Sequence, residues 1–277
     1  MKPVAEYETC VYCPRLCRPV CPVAVGSARE SATPSTMMSG PFLAILDTLS
    51  REDAVALASL CTSCGACTEF CRVQRPVAQL LAEARASLAA PATLDPPGEV
   101  EGMGEWVAIE CDDRAWGRAL ARRIGRPVAR FRTRDHLGEA LLDHPDAFAT
   151  YAALLRERLA NRTVVVADLG CAAAASAAGL SVQHLSALAP PPSAGLVVHA
   201  CAGPHLDGDE VPGALRCCGA RAPLSTAHPT IAAEVAEGAA ARLGDTPCRT
   251  ADARCGAALR AAGASVEDPV SALLRQL

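Results

Sequence analysis

The 277-residue sequence has few aromatic residues and no excess of basic charge. Only 3% of its residues are Phe, Trp or Tyr, so alanine-rich helices must build much of any core. The formal net charge is −4, and no basic field points to nucleic acid or acidic lipid as a partner. The length suffices for a buried core and roughly two or three domains.

Signals for export and for membrane insertion are also lacking. The first ten residues, MKPVAEYETC, contain no apolar segment of the kind found in secretory signals. A charge-free stretch, residues 169–206, is mostly Ala, Ser, Gly and Pro and is interrupted by prolines at 190–192. Such residues gain little from entering lipid, so we expect a soluble α/β interior and a loop there.

Cysteine, by contrast, is abundant, with fifteen residues in the chain. Without a secretory signal, this number indicates a reducing compartment, where disulfides are rare and clustered thiols usually hold metal. Eight of the cysteines occur in two groups, CVYCPRLCRPVCP at 10–22 and CTSCGACTEFC at 61–71. The chemistry of the protein is therefore expected to centre on these groups.

The second group has the C-x2-C-x2-C-x3-C spacing of a bacterial ferredoxin half-site, whose fourth cysteine binds the other cluster. The first group has one extra residue between its second and third cysteines, and Pro22 follows its fourth as in ferredoxins. This pattern predicts two [4Fe–4S] clusters with crossed ligation. One set is Cys10, Cys13, Cys17 and Cys71, and the other is Cys61, Cys64, Cys67 and Cys21.

A structural zinc site is the alternative interpretation of the two groups. The two C-x2-C pairs, Cys10 with Cys13 and Cys61 with Cys64, could together provide four thiolates for zinc. That site would leave the other four cysteines unexplained, although all of them lie at or near ferredoxin offsets. We therefore favour two iron–sulfur clusters.

Helical segments separate and follow the two groups. Ser50 and Asp53 have the spacing of a capping box before one helix. A later segment, PVAQLLAEARASL, repeats apolar residues at helical spacing, namely Val77, Leu80, Leu81, Ala84 and Leu88. The pattern predicts an all-helical two-cluster domain at residues 1–90.

The segments ESATPSTMM and LCTSCGACTEFC, with the following PVAQLLAEAR, resemble the α-helical ferredoxin of the heterodisulfide reductase family. Relatives include the iron–sulfur subunits of glycolate oxidase and of anaerobic glycerol-3-phosphate dehydrogenase. The resemblance covers most of residues 10–90 and implies electron transfer with a flavin-containing partner subunit. One departure is Arg72, because the family usually has proline after the last cysteine.

Four arginines lie in or near the cysteine loops, namely Arg15, Arg18, Arg72 and Arg75. Cations beside an anionic cluster would raise its reduction potential and could also bind an acidic partner. They could equally form an ordinary solvated surface. The sequence leaves both interpretations open.

The C-terminal part has the pattern of an α/β fold. Residues 91–105 are rich in proline and glycine and are expected to form a linker. Buried-strand patterns at 106–110, 163–168 and 195–199 then alternate with helical segments. The predicted fold class is α + α/β: an N-terminal α-helical ferredoxin with two [4Fe–4S] sites, followed by two α/β units at 106–190 and 195–277.

The second α/β unit is similar to the second CCG domain of the same family, on the segments HACAGPHL, RCCGARAPLSTAHP and TADARCGAALR. In that family a lone cysteine, a Cys-Cys-Gly and a C-x2-C pair converge on a cluster or redox centre. The resemblance implies a possible third site at Cys201, Cys217, Cys218 and Cys255. Asp252 stands in place of a cysteine and could supply an oxygen ligand. A functional site and a vestigial one both remain open.

The first α/β unit resembles a degenerate CCG domain. Cys111 and Cys171 match its opening and closing cysteines, but no Cys-Cys pair lies between them, so we expect packed thiols. Cys248 fits no position of the pattern and is expected to be structural. Three histidines, His199, His205 and His228, are expected to make only hydrogen bonds.

These features predict an iron–sulfur electron-transfer subunit of a multi-subunit oxidoreductase. No G-x-G-x-x-G follows a predicted strand, so two-electron chemistry is expected on a flavin-bearing partner, with electrons passing between it and another acceptor. One alternative is a catalytic heterodisulfide or thiol reductase-type subunit that uses the C-terminal CCG site; another is a scaffold that binds partners. We expect a cytoplasmic protein that reaches a membrane face only through a partner.

Overall fold

The computed structural model describes residues 3–14, 16–90, 93–110, 115–133, 137–189, 196–198, 209–210, 217–221 and 223–275. The helices are α1 Val4–Val11, α2 Pro22–Gly26, α3 Pro34–Ile45, α4 Arg51–Ala58, α5 Ala66–Phe70, α6 Val77–Leu88, α7 Trp116–Ile124, α8 Leu137–Asp143, α9 Pro145–Leu159, α10 Leu169–Ala177, α11 Leu224–Ala227, α12 Pro229–Leu243, α13 Ala253–Ala261 and α14 Pro269–Leu274. The strands are β1 Val100–Glu101, β2 Trp106–Glu110, β3 Val128–Arg132, β4 Thr163–Val166, β5 Ser181–His184, β6 Leu196–Val198, β7 Asp209–Glu210, β8 Cys248–Thr250 and β9 Val266–Glu267.

The chain divides into two compact units whose sequence ranges are interleaved. The first unit comprises Met1–Ala90, Gly195–Cys248 and Arg254–Val266. The second unit comprises Pro91–Ala194, Arg249–Ala253 and Glu267–Leu277. The domain boundaries expected from the sequence stay a prediction. None of the described helices combines the length and apolar character that crossing a bilayer requires.

Residues 3–90 form a helical region within the first unit, as the sequence predicted for this part of the chain. Helix α3 packs against α1 and α4, and α6 packs against α3 and α4. The core of this region includes large side chains that are fully buried, among them Tyr7, Met37, Met38 and Leu81. Every apolar residue predicted for the inner face of α6 is buried.

Helix α4 begins at the predicted capping box. The Ser50 hydroxyl oxygen accepts a hydrogen bond from the Asp53 backbone N–H at 3.0 Å. The same hydroxyl donates to the Asp53 carboxylate at 2.8 Å. This reciprocal cap fixes the start of the helix that leads directly into Cys61.

Helix α12 packs closely on α2 within the first unit, and glycines make this approach possible. A Cβ atom on Gly26 would lie 2.8 Å from the Val235 Cα, and one on Gly238 would lie 2.7 Å from the Gly26 carbonyl oxygen. Ala232 and Val235 of α12 belong to the same apolar core as Val23 of α2. Helix α12 is thus packed on α2 through backbone contact.

The second unit contains a mostly parallel sheet of order β1–β3–β2–β4–β5, in which only β1 runs antiparallel to its neighbour. Val107 on the central strand β2 pairs with Ala129 on one side and Val164 on the other. Because both faces of such a strand are covered, its residues form a continuous apolar run, and this run allowed β2 and β4 to be predicted. Strands β1, β3 and β5 were not predicted, and β1 lies in the segment 91–105 that was expected to be a linker.

A buried ion pair lies at the end of β2. The Glu110 carboxylate accepts hydrogen bonds from Arg130 Nη2 at 2.6 Å and from Arg130 Nε at 3.0 Å. Its other oxygen accepts from the Gly117 backbone N–H at 2.9 Å, at the start of α7. Both charged residues are buried, so each carries hydrogen bonds that replace those lost with water.

A second described sheet has the order β7–β6–β8–β9, with β6 and β7 parallel.

Candidate iron–sulfur site

Four thiols line one cavity in the first unit. They belong to Cys21, Cys61, Cys64 and Cys67. Most of the remaining lining is apolar and includes Met37 and Leu81. The cavity therefore offers four sulfur donors in a space with little competing polarity.

Local backbone geometry places these thiols. Ser63 and Gly65 both have positive φ angles, of +57° and +77°, so the chain reverses tightly between Cys61 and Cys67. Gly65 precedes the short helix α5, and no atom would obstruct a Cβ there, so its role is conformational. The Cys61 sulfur accepts a hydrogen bond from the Ser63 backbone N–H at 3.3 Å. Cys21 stands immediately before α2, whose first residue is Pro22.

The other four cysteines form a second group around Cys10 and are only partly buried. Cys10 lies in α1, Cys17 precedes the 3-10 turn at 18–20, and Cys71 follows α5. The thiols that act electrostatically on Cys10 are those of Cys17, Cys71 and Cys13. Cys17 also acts on two thiols of the cavity and so lies between the groups. The two groups have the membership expected for crossed ligation, and the ligand assignment itself stays a prediction.

The thiols hold their protons strongly in the absence of a cation. Burial raises the pKa of Cys10 to about 11 and that of Cys21 to about 12, and neighbouring thiols contribute to both. Burial also raises the pKa of Cys61, Cys64 and Cys67. Clustered thiolates would repel one another in this setting, whereas bound iron would stabilise them. The donor set thus fits a cationic, sulfur-loving centre.

A buried arginine lies beside the cavity and was not singled out from the sequence. Arg85 Nη1 donates to the Ala58 carbonyl at 3.0 Å, and Nη2 lies 3.5 Å from the Ser63 hydroxyl oxygen. Its charge opposes the effect of burial on the Cys61 pKa. Its position four residues after Leu81, on the buried face of α6, is the sequence signal that could have identified it.

The arginines predicted near the cysteine loops have mixed surroundings. Arg75 donates to the Glu6 carboxylate at 2.7 Å and to the Thr9 hydroxyl at 2.8 Å, and its charge acts on Cys10. Arg18 forms an exposed ion pair with Glu30. Arg72 is exposed, and Arg15 lies outside the described residues. The Arg75 charge lowers the pKa of Cys10 and so opposes the effect of burial there.

The C-terminal cysteines lie close to the cavity. Cys217 and Cys218 are both 1% exposed. The Cys217 thiol raises the pKa of Cys61, although burial and other groups have larger effects there. It is the largest influence after burial on the pKa of Cys64. The Cys218 and Cys255 sulfur atoms lie 3.0 Å apart. The structure thus brings three of the four predicted residues into the first unit with the helical region, while Cys201 lies outside the described residues.

The glycine of the Cys-Cys-Gly motif has a physical role. Gly219 has a φ angle of +76°, and a Cβ atom there would lie 2.7 Å from the Ala232 carbonyl oxygen of α12. Its N–H donates to the Cys217 sulfur at 3.4 Å. Only glycine combines this conformation with this approach, and it thereby fixes the two cysteines relative to α12.

Asp252 has a structural partner in the second unit. Its carboxylate accepts a hydrogen bond from the Leu169 backbone N–H at 3.1 Å, at the start of α10. Asp168 caps the same helix by accepting from the Cys171 N–H at 2.8 Å. Asp252 therefore accepts one of the free backbone N–H groups at the helix N-terminus. Its place at a position where the related family has cysteine did not suggest this role.

The other cysteines and histidines have the following positions. Cys171 is fully buried in an apolar core, and Cys248 is buried in β8. His228 lies with its Nε2 atom 2.8 Å from the Ala56 carbonyl oxygen. Cys111, His199 and His205 lie outside the described residues.

The arrangement does not provide a site for a single metal ion in the part of the chain that the structure describes. No three His, Cys, Asp or Glu side chains there come together closely enough for one ion. A cubane cluster is larger, because each thiolate binds a different iron, so its ligands lie farther apart. The four thiols that line one cavity are the type of donor that such a cluster requires.

Residues 6–74 match the family model described as a 4Fe-4S dicluster domain. The chain carries an iron–sulfur dicluster domain. The matched segment contains all eight cysteines of the two groups. No curated protein and no solved structure matches the chain. The resemblance of the C-terminal part to CCG domains therefore stays a prediction.

Proposed function

We propose that this protein is an iron–sulfur electron-transfer subunit of a multi-subunit oxidoreductase and holds two [4Fe–4S] clusters. The observation that carries the proposal is the cavity lined by four cysteines within the dicluster domain. One cluster would be bound by Cys21, Cys61, Cys64 and Cys67. The other would be bound by Cys10, Cys13, Cys17 and Cys71.

The surrounding residues would tune and protect the bound group. When bound, the clusters supply one-electron carriers. Apolar residues such as Met37 and Leu81 exclude water from the cavity. The Ser63 N–H donates to the Cys61 sulfur, and the Arg85 charge favours the Cys61 thiolate, so both would raise the reduction potential of a cluster bound there. Cys17 and Cys21 are only four positions apart in the chain, so crossed ligation would keep the two clusters close together.

We propose that the electrons pass between a flavin-bearing partner subunit and another acceptor. The absence of a dinucleotide fingerprint from the sequence supports a separate site for two-electron chemistry. A catalytic thiol or heterodisulfide reductase-type subunit is the second candidate, and the close pair Cys218 and Cys255 favours it. Their burial, 1% and 6% exposed, counts against direct contact with a substrate.

The first test measures the metal content of anaerobically purified full-length protein. We expect about eight irons and about eight acid-labile sulfides per chain, with cubane signals in the EPR spectrum of the reduced protein. About twelve irons would instead favour a third centre and the catalytic candidate. Stoichiometric zinc without acid-labile sulfide would falsify the proposal.

Three variants test the crossed assignment. Cys17→Ser and Cys21→Ser alter cysteines four positions apart, yet each should weaken the EPR signal of a different cluster. Cys248→Ala changes a buried cysteine in β8 and should keep the full iron content. Loss of the same signal in both serine variants would refute crossed ligation.

Iron loading should also depend on pH. Since burial raises the pKa of Cys10 to about 11 and of Cys21 to about 12, loading must displace protons from these thiols. The yield of anaerobic reconstitution should therefore rise between about pH 6.5 and about pH 8.5, with release of protons that a weakly buffered assay can record. Reconstitution without proton release would contradict ligation by these thiols.

A further inference from the structure

Two buried sulfur atoms in the first unit are nearly in bonding position. The Cys218 and Cys255 sulfurs lie 3.0 Å apart, which is about 1 Å more than the length of a disulfide bond. Both residues are buried, and Cys255 lies in α13 while Cys218 lies in the Cys-Cys-Gly turn. A small movement of one side chain would bring the sulfurs together.

The chain holds this pair beside the thiol-lined cavity. Gly219 follows Cys218 and is fixed against the Ala232 backbone of α12. Cys217 precedes it and is an electrostatic neighbour of Cys61 and Cys64. In this turn Cys217 is directed towards the cavity residues, and Cys218 is in contact with Cys255. The two side chains point in different directions, as those of adjacent residues commonly do.

We propose that Cys218 and Cys255 form a reversible dithiol–disulfide couple that exchanges electrons with the dicluster domain. On oxidation both S–H bonds break and one S–S bond forms, so two protons pass to water and two electrons leave. Each of the two oxidised iron–sulfur clusters accepts one of these electrons. This choice of acceptors rests on the function proposed above. The reverse step takes up two electrons and two protons and restores both thiols.

The surroundings favour an internal couple over a site that meets a substrate directly. A cavity of about 440 Å³ is lined by alanines of α12 and α13, and also by Ala220 and Arg254. Neither Cys218 nor Cys255 lines it, although each is close in sequence to a residue that does. The couple therefore converts single electrons into a stored pair without exposing a reactive thiol.

The test uses anaerobically purified full-length protein poised in mixtures of reduced and oxidised glutathione. Samples are quenched with acid and alkylated, and trypsin then releases the peptides CCGAR and CGAALR. We expect a disulfide-linked pair of these peptides that disappears reversibly on reduction. Cys217→Ala should keep this cross-link, whereas Cys218→Ala should abolish it, although both variants remove one of two adjacent buried cysteines.

A second measurement separates a redox couple from a metal ligand. Reductive titration of the oxidised protein should take up about two electrons more per chain in the wild type than in Cys218→Ala or Cys255→Ala. Both variants should keep the wild-type iron content and far-UV circular dichroism. Iron loss in either variant, or no cross-link at any poise that leaves the protein folded, would overturn the couple. If the purified protein contains no iron but still forms the cross-link, the two clusters and the electron exchange with them are refuted. The dithiol pair would then have a different redox partner.

Discussion

Gly219 should be among the least replaceable residues of the first unit, and Gly219→Ala tests the packing that positions the C-terminal cysteines. The substitution has two costs. A non-glycine residue in the left-handed region costs about 1–2 kcal/mol. The new Cβ atom would also lie 2.7 Å from the Ala232 carbonyl oxygen, so the turn or α12 must move.

The second cost resembles overpacking of a core, which is typically about 1–3 kcal/mol. The neighbouring atom is backbone within a helix and cannot rotate away. The two costs together predict a loss of about 2–5 kcal/mol in the free energy of unfolding. The same shift should reduce formation of the Cys218–Cys255 cross-link, since the turn can no longer sit at its native distance from α12.

Gly263→Ala provides a matched control in the same unit. Gly263 has a φ angle of +92°, and a Cβ atom there would meet no other atom within 4 Å. It follows α13 in a Schellman motif, in which the Ala264 N–H donates to the Leu259 carbonyl at 2.9 Å. This variant has the conformational cost alone, so we expect a loss of about 1–2 kcal/mol and an unchanged cross-link.

Urea unfolding followed by far-UV circular dichroism, under anaerobic conditions, measures both variants. The reasoning requires a larger loss for Gly219→Ala than for Gly263→Ala, by about 1–3 kcal/mol. Equal losses would show that the approach of the turn to α12 is not rigid. A destabilised Gly219→Ala protein with a normal cross-link would show that the glycine does not position Cys218.

Two further predictions concern the second unit. Arg130→Met should lower the free energy of urea unfolding by about 3–5 kcal/mol, because it leaves the buried Glu110 carboxylate without its main partner. The control is Arg132→Met, since the Arg132 side chain is 61% exposed and lies 3.7 Å from the Glu110 carboxylate; it should cost about 0–1 kcal/mol. Similar losses in the two variants would contradict the assignment. Burial lowers the pKa of His184 to about 4, while its Nδ1 accepts the Ser186 N–H at 3.3 Å, so protonation is disfavoured in the folded state. Because the pKa of histidine in the unfolded chain is about 6.5, the free energy of unfolding should fall by about 2 kcal/mol between about pH 7 and about pH 5. His184→Asn keeps a hydrogen-bond acceptor and should flatten this dependence. A wild-type-like pH profile for the variant would refute the role of His184.

The parts of the fold that could be predicted are those encoded by local spacing. The dicluster domain was recognisable because three of its predicted ligands lie within one short loop, Cys61 to Cys67. The capping box at Ser50 and the apolar face of α6 follow from helical geometry, which repeats every few residues. The continuous apolar runs of β2 and β4 indicated buried parallel strands. Strand β3 was missed because arginine and a short run obscure its pattern.

The position of the C-terminal cysteines relative to the cavity could be expected only in outline. The family resemblance grouped Cys217, Cys218 and Cys255 as one site, but no local pattern shows that Cys217 lies beside Cys61. That proximity depends on close packing between segments that are distant in the sequence. Small residues at such contacts have no periodic signal, because their effect is to let backbones approach. Arg85 was missed for a related reason, since a charged residue on a helix is ordinarily assumed to face solvent.

The scarcity of large side chains connects this packing to redox function. With only 3% aromatic residues in the chain, the first unit fills its interior by bringing helices into close contact instead of interposing bulky rings. Gly26 and Gly238 allow this contact between α2 and α12, and α2 begins directly after Cys21. Helix α12 in turn holds the turn that carries Cys217 and Cys218. Close backbone packing therefore sets the separation between the cavity thiols and the C-terminal pair, which is the distance that the electron exchange proposed above requires to be short.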